Sequence, residues 1–203
     1  MFLGVPFDQG AGFRSGARFG PKAVRDISVR YRIGGDEPGY WDLRDGRHKA
    51  VCRLIDCGDV AVAPLDWELC FNNITRDVKR ILEGGALPTV VGGDHSVTFP
   101  IVRAFENQKP FSIVHFDAHT DFRDQVLGVR YGHGSVMRRC CELPNIENVY
   151  SIGIRSLRSL PDEIADIRSL GNVIIPARDI HDLPIVVSVF RAENEYTLLS
   201  TSR

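Results

Sequence analysis

The sequence predicts an α/β protein with a doubly wound parallel sheet. Short apolar segments bounded by Gly or Pro recur along the 203 residues, and stretches with helical apolar spacing lie between several of them. This alternation is typical of strands and helices in a parallel sheet. Polar residues directly follow several apolar segments, which is where ligands bind in open α/β sheets. The length suits one sizeable domain with its own core.

The first half of the chain predicts three strands and three helices. The strands are expected over 1–5, 53–57 and 87–91. The helices are expected over 21–29, 66–83 and 97–105. Pro21 suits a first helical turn, and the helix over 66–83 has an amphipathic pattern followed by two glycines. Residues 33–50 are predicted to be an exposed excursion that Tyr40 and Trp41 hold to the body.

The second half continues the alternation after Pro110. A mostly apolar segment over 112–116 predicts a buried strand. Residues 123–139 are expected to form a loop. The remaining elements are a strand over 149–154, a helix over 161–170 and a strand over 173–175.

The segment FSIVHFDAHTD at 111–121 carries the strongest chemical signal. If its backbone stays extended, Asp117, His119 and Asp121 project from one side, because strand side chains alternate. Carboxylates and an imidazole without a nearby thiol favour a hard or borderline divalent ion such as manganese over a cysteine-type zinc site. A solvated loop with scattered charges is the alternative for these five residues alone.

Two further histidines bear on this site. His95 follows the strand over 87–91, so in a parallel sheet it lies at the same edge as Asp117 and is a fourth candidate ligand. His115 is in register with the ligands, but it lies inside its strand and is expected to be a buried, hydrogen-bonded histidine. The glycine-rich run at 10–16 departs from the dinucleotide-binding spacing, so a substrate-side loop is preferred to a nucleotide site.

The composition is that of an ordinary globular protein, with a formal net charge of -1. Nothing in it calls for nucleic acid or an anionic membrane as a partner, and no apolar run is long enough to span a bilayer. The five cysteines are odd in number and lack a C-x-x-C pair, so free thiols are expected. Free thiols and the absence of a signal peptide predict a cytoplasmic protein.

Several motifs occur in a fixed order: GGDHS at 92–96, DAHTD at 117–121 and GHG at 132–134. With GVPFDQG at 4–10, GARFGP at 16–21 and SIGIRS at 151–156, the chain resembles the ureohydrolase family of arginases and agmatinases, and looks closer to agmatinases. The resemblance implies a three-layer α/β/α fold, hydrolysis of a small, agmatine-like guanidino compound to urea and an amine, and a homo-oligomer such as a trimer or hexamer.

The resemblance also implies a pair of Mn2+ ions bridged by hydroxide. His95 and Asp121 would bind one ion and His119 the other, with Asp117 bridging both. Asp121 and His133 would take part in catalysis, His133 as a proton shuttle, and Asp94 would support His95. Two ions lower the pKa of a shared water toward neutrality, and an imidazole can protonate the leaving amine.

One motif of the family, D-x-D-x-x-D-P with two further ligand aspartates, is missing. The only acids after Asp182 are Glu193 and Glu195, which are poor substitutes in their polar context. The chain is therefore expected to hold an incomplete ureohydrolase domain at 1–183, without the last strands, and a tail unlike the family at 184–203. The alternative function is an inactive truncated family member that keeps partial metal binding and acts through subunit association.

Overall fold

The computed structural model describes residues 1–31, 39–50, 54–180 and 197–201. Within these ranges strands and helices alternate, as the sequence predicts. The strands are β1 (Phe2–Gly4), β2 (Gly39–Asp42), β3 (Arg47–Ala50), β4 (Asp56–Asp59), β5 (Thr89–Val91), β6 (Phe111–Phe116), β7 (Ile146–Ile154), β8 (Val173–Pro176) and β9 (Thr197–Thr201). The α-helices are α1 (Gly20–Ser28), α2 (Trp67–Glu83), α3 (Thr98–Arg103), α4 (Val136–Cys141) and α5 (Pro161–Ser169).

Two parallel sheets form the centre of the fold. The first has the strand order β4-β1-β5, and the second has the order β8-β7-β6-β9. The predicted α/β class with parallel strands is confirmed. In the described part of the chain no ladder joins β5 to β6, so the strands that carry the predicted ligands belong to different sheets.

Helix α2 shows how local sequence determines an element. Its N-cap Asp66 accepts a hydrogen bond from the backbone amide of Leu69 at 2.9 Å, which satisfies a free donor of the first turn. Its apolar face, with Ile74 and Val78 fully buried, packs on the first sheet. Gly85 has a φ of 68°, a conformation that glycine adopts without strain, and it follows the last turn.

The core consists of two main clusters joined through α3. One cluster surrounds β1 and α2, and the other lies between β6, β7, α4 and α5. Phe99 of α3 and Phe105 just beyond it pack against both clusters. Because α3 begins shortly after β5, this packing fixes the end of the first sheet against the second sheet.

The prediction of a loop over 123–139 is wrong for its last part. A 3-10 turn occupies His133–Ser135 and leads into α4, whose Val136, Met137 and Cys140 are buried. A helix of six residues shows too little periodicity to be recognised from its apolar spacing. The other predicted strands and helices are present, with ends that differ by at most three residues.

Residues 39–50 form an antiparallel hairpin of β2 and β3. Tyr40 is 46% exposed and Trp41 is 61% exposed, so the prediction that they hold this segment to the body is wrong. The hairpin is held by its own ladder and by an ion pair of 2.5 Å between Lys49 Nζ and Asp42 Oδ2. The rest of the predicted excursion, 33–38, lies outside the described residues.

Strand β9 is an element that the sequence did not predict. It pairs in parallel with β6, from Ser112 opposite Thr197 to Phe116 opposite Thr201. Glu193, Glu195 and the expected domain boundary at 183 lie outside the described residues. Of the five cysteines, Cys57, Cys70, Cys140 and Cys141 are free, and Cys52 is outside the described ranges. No helix among the described residues is long and apolar enough to cross a bilayer.

Candidate metal centre

The carboxyl ends of β5 and β6 bring three predicted ligands together. His95 begins a 3-10 turn after β5, and Asp117 follows β6 directly. Nδ1 of His95 lies 2.7 Å from Oδ2 of Asp121 and 3.8 Å from Oδ2 of Asp117. The predicted proximity of these residues at one edge is therefore present, although β5 and β6 do not pair.

The assumption that the backbone stays extended through Asp121 is wrong. Strand β6 ends at Phe116, and the carboxylate of Asp117 then accepts a hydrogen bond from the backbone amide of His119 at 2.8 Å. This contact makes a turn of the kind that Asp side chains favour. Asp121 has a φ of 47°. Strand alternation therefore does not apply beyond residue 116.

The turn places His119 apart from the other ligands. Its side chain is 51% exposed, and its Nδ1 lies 3.4 Å from Oδ1 of Asp117. His95 lies on the side of the other carboxylate oxygen of Asp117. Asp117 thus separates His119 from His95, which suits a carboxylate shared between two positions.

His115 lies next to these residues, on β6 and two positions before Asp117. It is fully buried, as predicted, with its Nε2 3.3 Å from Asp117 Oδ2 and its Nδ1 3.2 Å from Ser151 Oγ. Its ring stacks on that of His95 at a centroid distance of 5.0 Å. His95, His115, Asp117 and Asp121 each offer a ligand atom, and these four atoms lie within 4.8 Å of one another.

The surroundings of Asp117 keep its carboxyl group ionised. Burial acts to raise its pKa, but the hydrogen bond with His115 and the one from the His119 amide outweigh burial, and the pKa is lowered. An ionised carboxylate offers only acceptor oxygens, and these oxygens can bind a cation.

Asp94 supports His95 through the backbone. Its Oδ1 accepts a hydrogen bond from the Ser96 amide at 2.8 Å and another from the Ser96 hydroxyl, so it caps the 3-10 turn that begins at His95. Burial raises the pKa of this carboxyl group, and the Ser96 contacts oppose that effect. Asp94 therefore fixes the turn that carries His95.

His133 lies on the wall of a cleft that opens onto the cluster. Its Nδ1 is 2.5 Å from the carbonyl oxygen of Gly10. A carbonyl can only accept, so Nδ1 carries the proton and Nε2 holds the lone pair. A Cβ on Gly12 would lie 3.2 Å from Cε1 of His133, so the lack of a side chain lets the loop pass close to the ring.

Residues of the glycine-rich loop, within 11–17, form one wall of this cleft. Buried Asp8 accepts hydrogen bonds from the Gly16 amide at 2.6 Å and from Nε of Arg18 at 2.7 Å. Burial acts to raise the pKa of Asp8, but the Arg18 guanidinium and the backbone amides lower it overall. This anchor holds the glycine-rich segment beside His133.

The cleft has a volume of about 1200 Å³ and includes a buried acid that sequence reasoning missed. Glu163 accepts a hydrogen bond from Thr120 and lies 3.7 Å from Nε of Arg123. In the sequence it resembles an ordinary acid in the first turn of a helix. Only its contact with Thr120 shows that it belongs to the cleft. The cleft lining includes Arg14, His95, His119, Asp121, Arg123, His133, Arg158 and Glu163.

The donor set fits a divalent ion. Two imidazoles and two carboxylates, without a thiol, suit borderline and hard first-row cations, including Mn2+. Bonds of about 2.0–2.2 Å place neighbouring ligand atoms roughly 3 Å apart. Three of the separations, 2.7, 3.3 and 3.8 Å, fall around this value, and all four atoms lie within 4.8 Å of one another, so the side chains must move closer together to bind one ion.

Comparisons with known proteins give a consistent result. The Arginase family matches residues 1–197 of the chain. Agmatinase, mitochondrial, from Gallus gallus is 35% identical over 182 residues, which is 88% of this chain and 52% of that protein. Guanidino acid hydrolase, mitochondrial, from Homo sapiens is 34% identical over 181 residues, which is 88% of this chain and 50% of that protein.

A solved structure supports the predicted fold. The Trypanosoma cruzi formiminoglutamase with Mn2+ aligns at a TM-score of 0.83 and 21% identity, covering 98% of this chain and 68% of that one. At this identity the likeness shows the fold alone. The chain spans about half the length of the two curated relatives. Since the family match extends over nearly the whole sequence, the chain belongs to the arginase family, whose motifs the sequence carries.

Proposed function

We propose that the protein hydrolyses a small guanidino compound to urea and an amine, with Mn2+ as its cofactor. The observation that carries this proposal is the buried imidazole and carboxylate cluster, which opens into a cleft lined by His133. The family and the two guanidino-hydrolysing relatives support the reaction class. The donor set of two imidazoles and two carboxylates without a thiol supports the choice of metal.

Each group has a part in this reaction. In the proposed arrangement His95 and Asp121 would hold one ion, His119 would hold a second, and Asp117 would contribute to both. A bound ion lowers the pKa of a water toward neutrality. Nε2 of His133, which holds the lone pair, would accept the proton that the attacking water loses and pass it to the leaving amine, because Nδ1 is already held by the Gly10 carbonyl. Asp94 keeps His95 in place by capping its turn.

The cleft lining also bears on the charge of the substrate's tail, the end opposite the guanidino group. Agmatine, the substrate type that the sequence suggests, carries a second cation. The cleft lining, however, includes Arg14, Arg123 and Arg158, of which Arg123 lies 3.7 Å from the acid Glu163. Arginine suits carboxylate recognition, so this observation favours a guanidino acid over agmatine. The name of the human relative, a guanidino acid hydrolase, agrees with this choice, whereas the Gallus gallus relative is an agmatinase.

The first test is metal content and turnover of the purified chain. After loading with Mn2+ and dialysis, elemental analysis gives ions per chain, and urea release is measured with 4-guanidinobutyrate and agmatine. We expect tightly held manganese and urea release. Urea release that is absent despite bound metal would contradict the proposal and support the alternative, an inactive chain that acts through subunit association.

A His133→Gln variant tests the proton transfer. We expect kcat to fall by about 10²–10⁴ with manganese content unchanged, because the ring serves proton transfer and not metal binding. His48→Gln, on the exposed hairpin strand β3, is the matched control and should keep full activity. Unchanged kcat in the His133 variant would remove His133 from the mechanism.

A further inference from the structure

We propose that His115 is a direct metal ligand, which completes a compact site for one divalent ion with His95, Asp117 and Asp121. The ion belongs to the first-row class that combines imidazole and carboxylate ligands in a small coordination shell, for which Zn2+ and Co2+ are suitable probes. This inference deepens the proposed function because it concerns the same centre. It also stands as a binding site if no guanidino substrate is turned over.

Ligand atoms of the four residues lie close to one another. Oδ2 of Asp117 lies 3.3 Å from Nε2 of His115 and 3.8 Å from Nδ1 of His95. Nδ1 of His95 lies 2.7 Å from Oδ2 of Asp121. Ligand atoms around a tetrahedral ion with bonds of about 2.0–2.1 Å are separated by roughly 3.3 Å. His115 therefore already lies at ligand distance from the shared carboxylate oxygen.

Ser151 contacts the ring of His115 on the side away from the cluster of ligand atoms. Ser151 on β7 is the register partner of His115 on β6, and its Oγ lies 3.2 Å from Nδ1. A hydroxyl can accept a hydrogen bond, so the ring can give up the Nε2 proton that it donates to Asp117, carry its proton on Nδ1 and present the Nε2 lone pair to an ion. Metal-binding histidines commonly have such a partner on the other ring nitrogen. Ser151 is thus the positioning residue for His115.

His115 and His119 differ in burial and in the carboxylate oxygen of Asp117 that each one faces. His115 is fully buried between Asp117 and the stacked ring of His95. His119 is half exposed and lies on the side of Asp117 Oδ1. In the described residues the four convergent groups include His115 and exclude His119. The most tightly held ion is therefore bound with His115, and His119 can serve only a second, weaker position.

The test is a titration of the full chain with Co2+ and Zn2+, followed by calorimetry and by the visible absorption of Co2+. The wild type should bind one ion tightly with an intense tetrahedral Co2+ band. His115→Gln should raise Kd at least 100-fold and abolish the band, and Ser151→Ala should raise Kd about tenfold. His119→Gln and the control His48→Gln should leave the Kd of the first ion within about twofold.

Two results would overturn the proposal. One is a folded His115→Gln chain, checked by circular dichroism, that keeps the wild-type Kd. The other comes from the wild type and applies even if that variant does not fold: proton NMR of the Co2+-loaded chain should show two contact-shifted imidazole N–H signals. Both signals should persist in His119→Gln. A single signal, or loss of one in His119→Gln, would exclude His115 as the ligand.

The two proposals fail in different ways. A wild type that shows the expected Kd pattern but releases no urea with Mn2+ would contradict the proposed function alone. A chain that releases urea while His115→Gln keeps its metal affinity would contradict the role of His115 alone. Metal affinity and turnover are therefore measured on the same preparations.

Discussion

The two carboxylate oxygens of Asp117 face two different candidate ion positions. Oδ1 accepts the His119 amide and lies near the His119 ring, whereas Oδ2 faces His95 and His115. Because the carboxyl group is buried, its charge is little screened by water and attracts a cation strongly. Asp117, which directly follows β6, thereby lies between a buried candidate ion position and a more exposed one.

Asp8 anchors the loop that forms a wall of the cleft, and its removal should destabilise the protein. We expect Asp8→Asn to lower the free energy of unfolding by about 1–3 kcal/mol at pH 7, because hydrogen bonds to a charged, buried acceptor are weakened. The folded-state pKa of Asp8 is lowered, so its contribution is complete above the pKa of the unfolded chain, about 3.9.

The pH series follows from this sign. The difference between wild type and Asp8→Asn should be constant from pH 7 to pH 5 and should shrink as the pH falls below about 4. Urea denaturation at each pH measures it. Asp26→Asn, which removes an exposed pair with Lys22, is the control and should change stability little. Equal losses in the free energy of unfolding for the two variants would show that the buried Asp8 contacts stabilise the fold no more than the exposed Asp26 pair does.

At the residue scale, the sequence could predict that His95, Asp117 and Asp121 lie close together, but not the directions of their side chains. The rule that ligands gather beyond the ends of parallel strands placed His95 with Asp117. The orientation of His119 depended on the hydrogen bond from its own amide to Asp117, which no periodicity reveals. Glu163 was missed because it reaches the cleft only through its tertiary contact with Thr120.

Strands β1 and β5 approach each other closely at their carboxyl ends. Beyond the ladder, the Asp94 amide donates a hydrogen bond of 2.9 Å to the Phe7 carbonyl. A Cβ at Gly93 would collide with the backbone of Phe7. Glycine at 93 therefore allows the segment that carries His95 to lie against the end of β1.

A Gly93→Ala variant should separate these segments. We expect a loss of about 1–3 kcal/mol in the free energy of unfolding, because backbone cannot yield as a flexible side chain does. Metal affinity should fall as well, since His95 is two residues away. Gly84→Ala is the control: its added Cβ would meet Ile81 at an ordinary 3.4 Å. Similar melting curves for both variants would contradict the prediction.

Element length explains what the sequence could predict at this scale. Helix α2 has 17 residues, enough for its apolar face to be recognised, whereas α4 has only six. Strand β9 could not be predicted because its existence depends on pairing with β6, which is distant in sequence. Strand β6 was predicted because its own apolar composition indicates burial on both faces.

The candidate metal centre lies between the two sheets of the molecule. His95 follows the first sheet and Asp117 follows the second, and α3 packs against both core clusters between them. The cleft likewise takes its lining from loops of both halves. Ligand geometry therefore depends on how the two sheets are held together.

The charge of this shared cleft should select the tail of the substrate. Arg14, Arg123 and Arg158 line the cleft together with three acids, of which Asp94 and Asp121 lie at the candidate metal centre and Glu163 lies 3.7 Å from Nε of Arg123. In the metal-loaded His133→Gln variant, where turnover should be slow, we expect 4-guanidinobutyrate to bind about tenfold more tightly than agmatine. Such a ratio requires about 1.4 kcal/mol, which a few partly screened charge interactions can supply. Isothermal calorimetry measures both affinities.

Arg158 provides the decisive variant, because it lines the cleft and its backbone carbonyl, not its side chain, accepts the hydrogen bond from Arg123. Adding Arg158→Glu should reduce or reverse the preference for the acid, and raising the salt concentration should weaken it, since exposed charges are screened. Arg178→Glu makes the same charge change at a highly exposed site outside the cleft lining. If both variants shift the preference equally, net charge and not the cleft controls it. If agmatine binds more tightly to the starting protein, the arginines do not face the tail, and selectivity must come from other residues along the cleft.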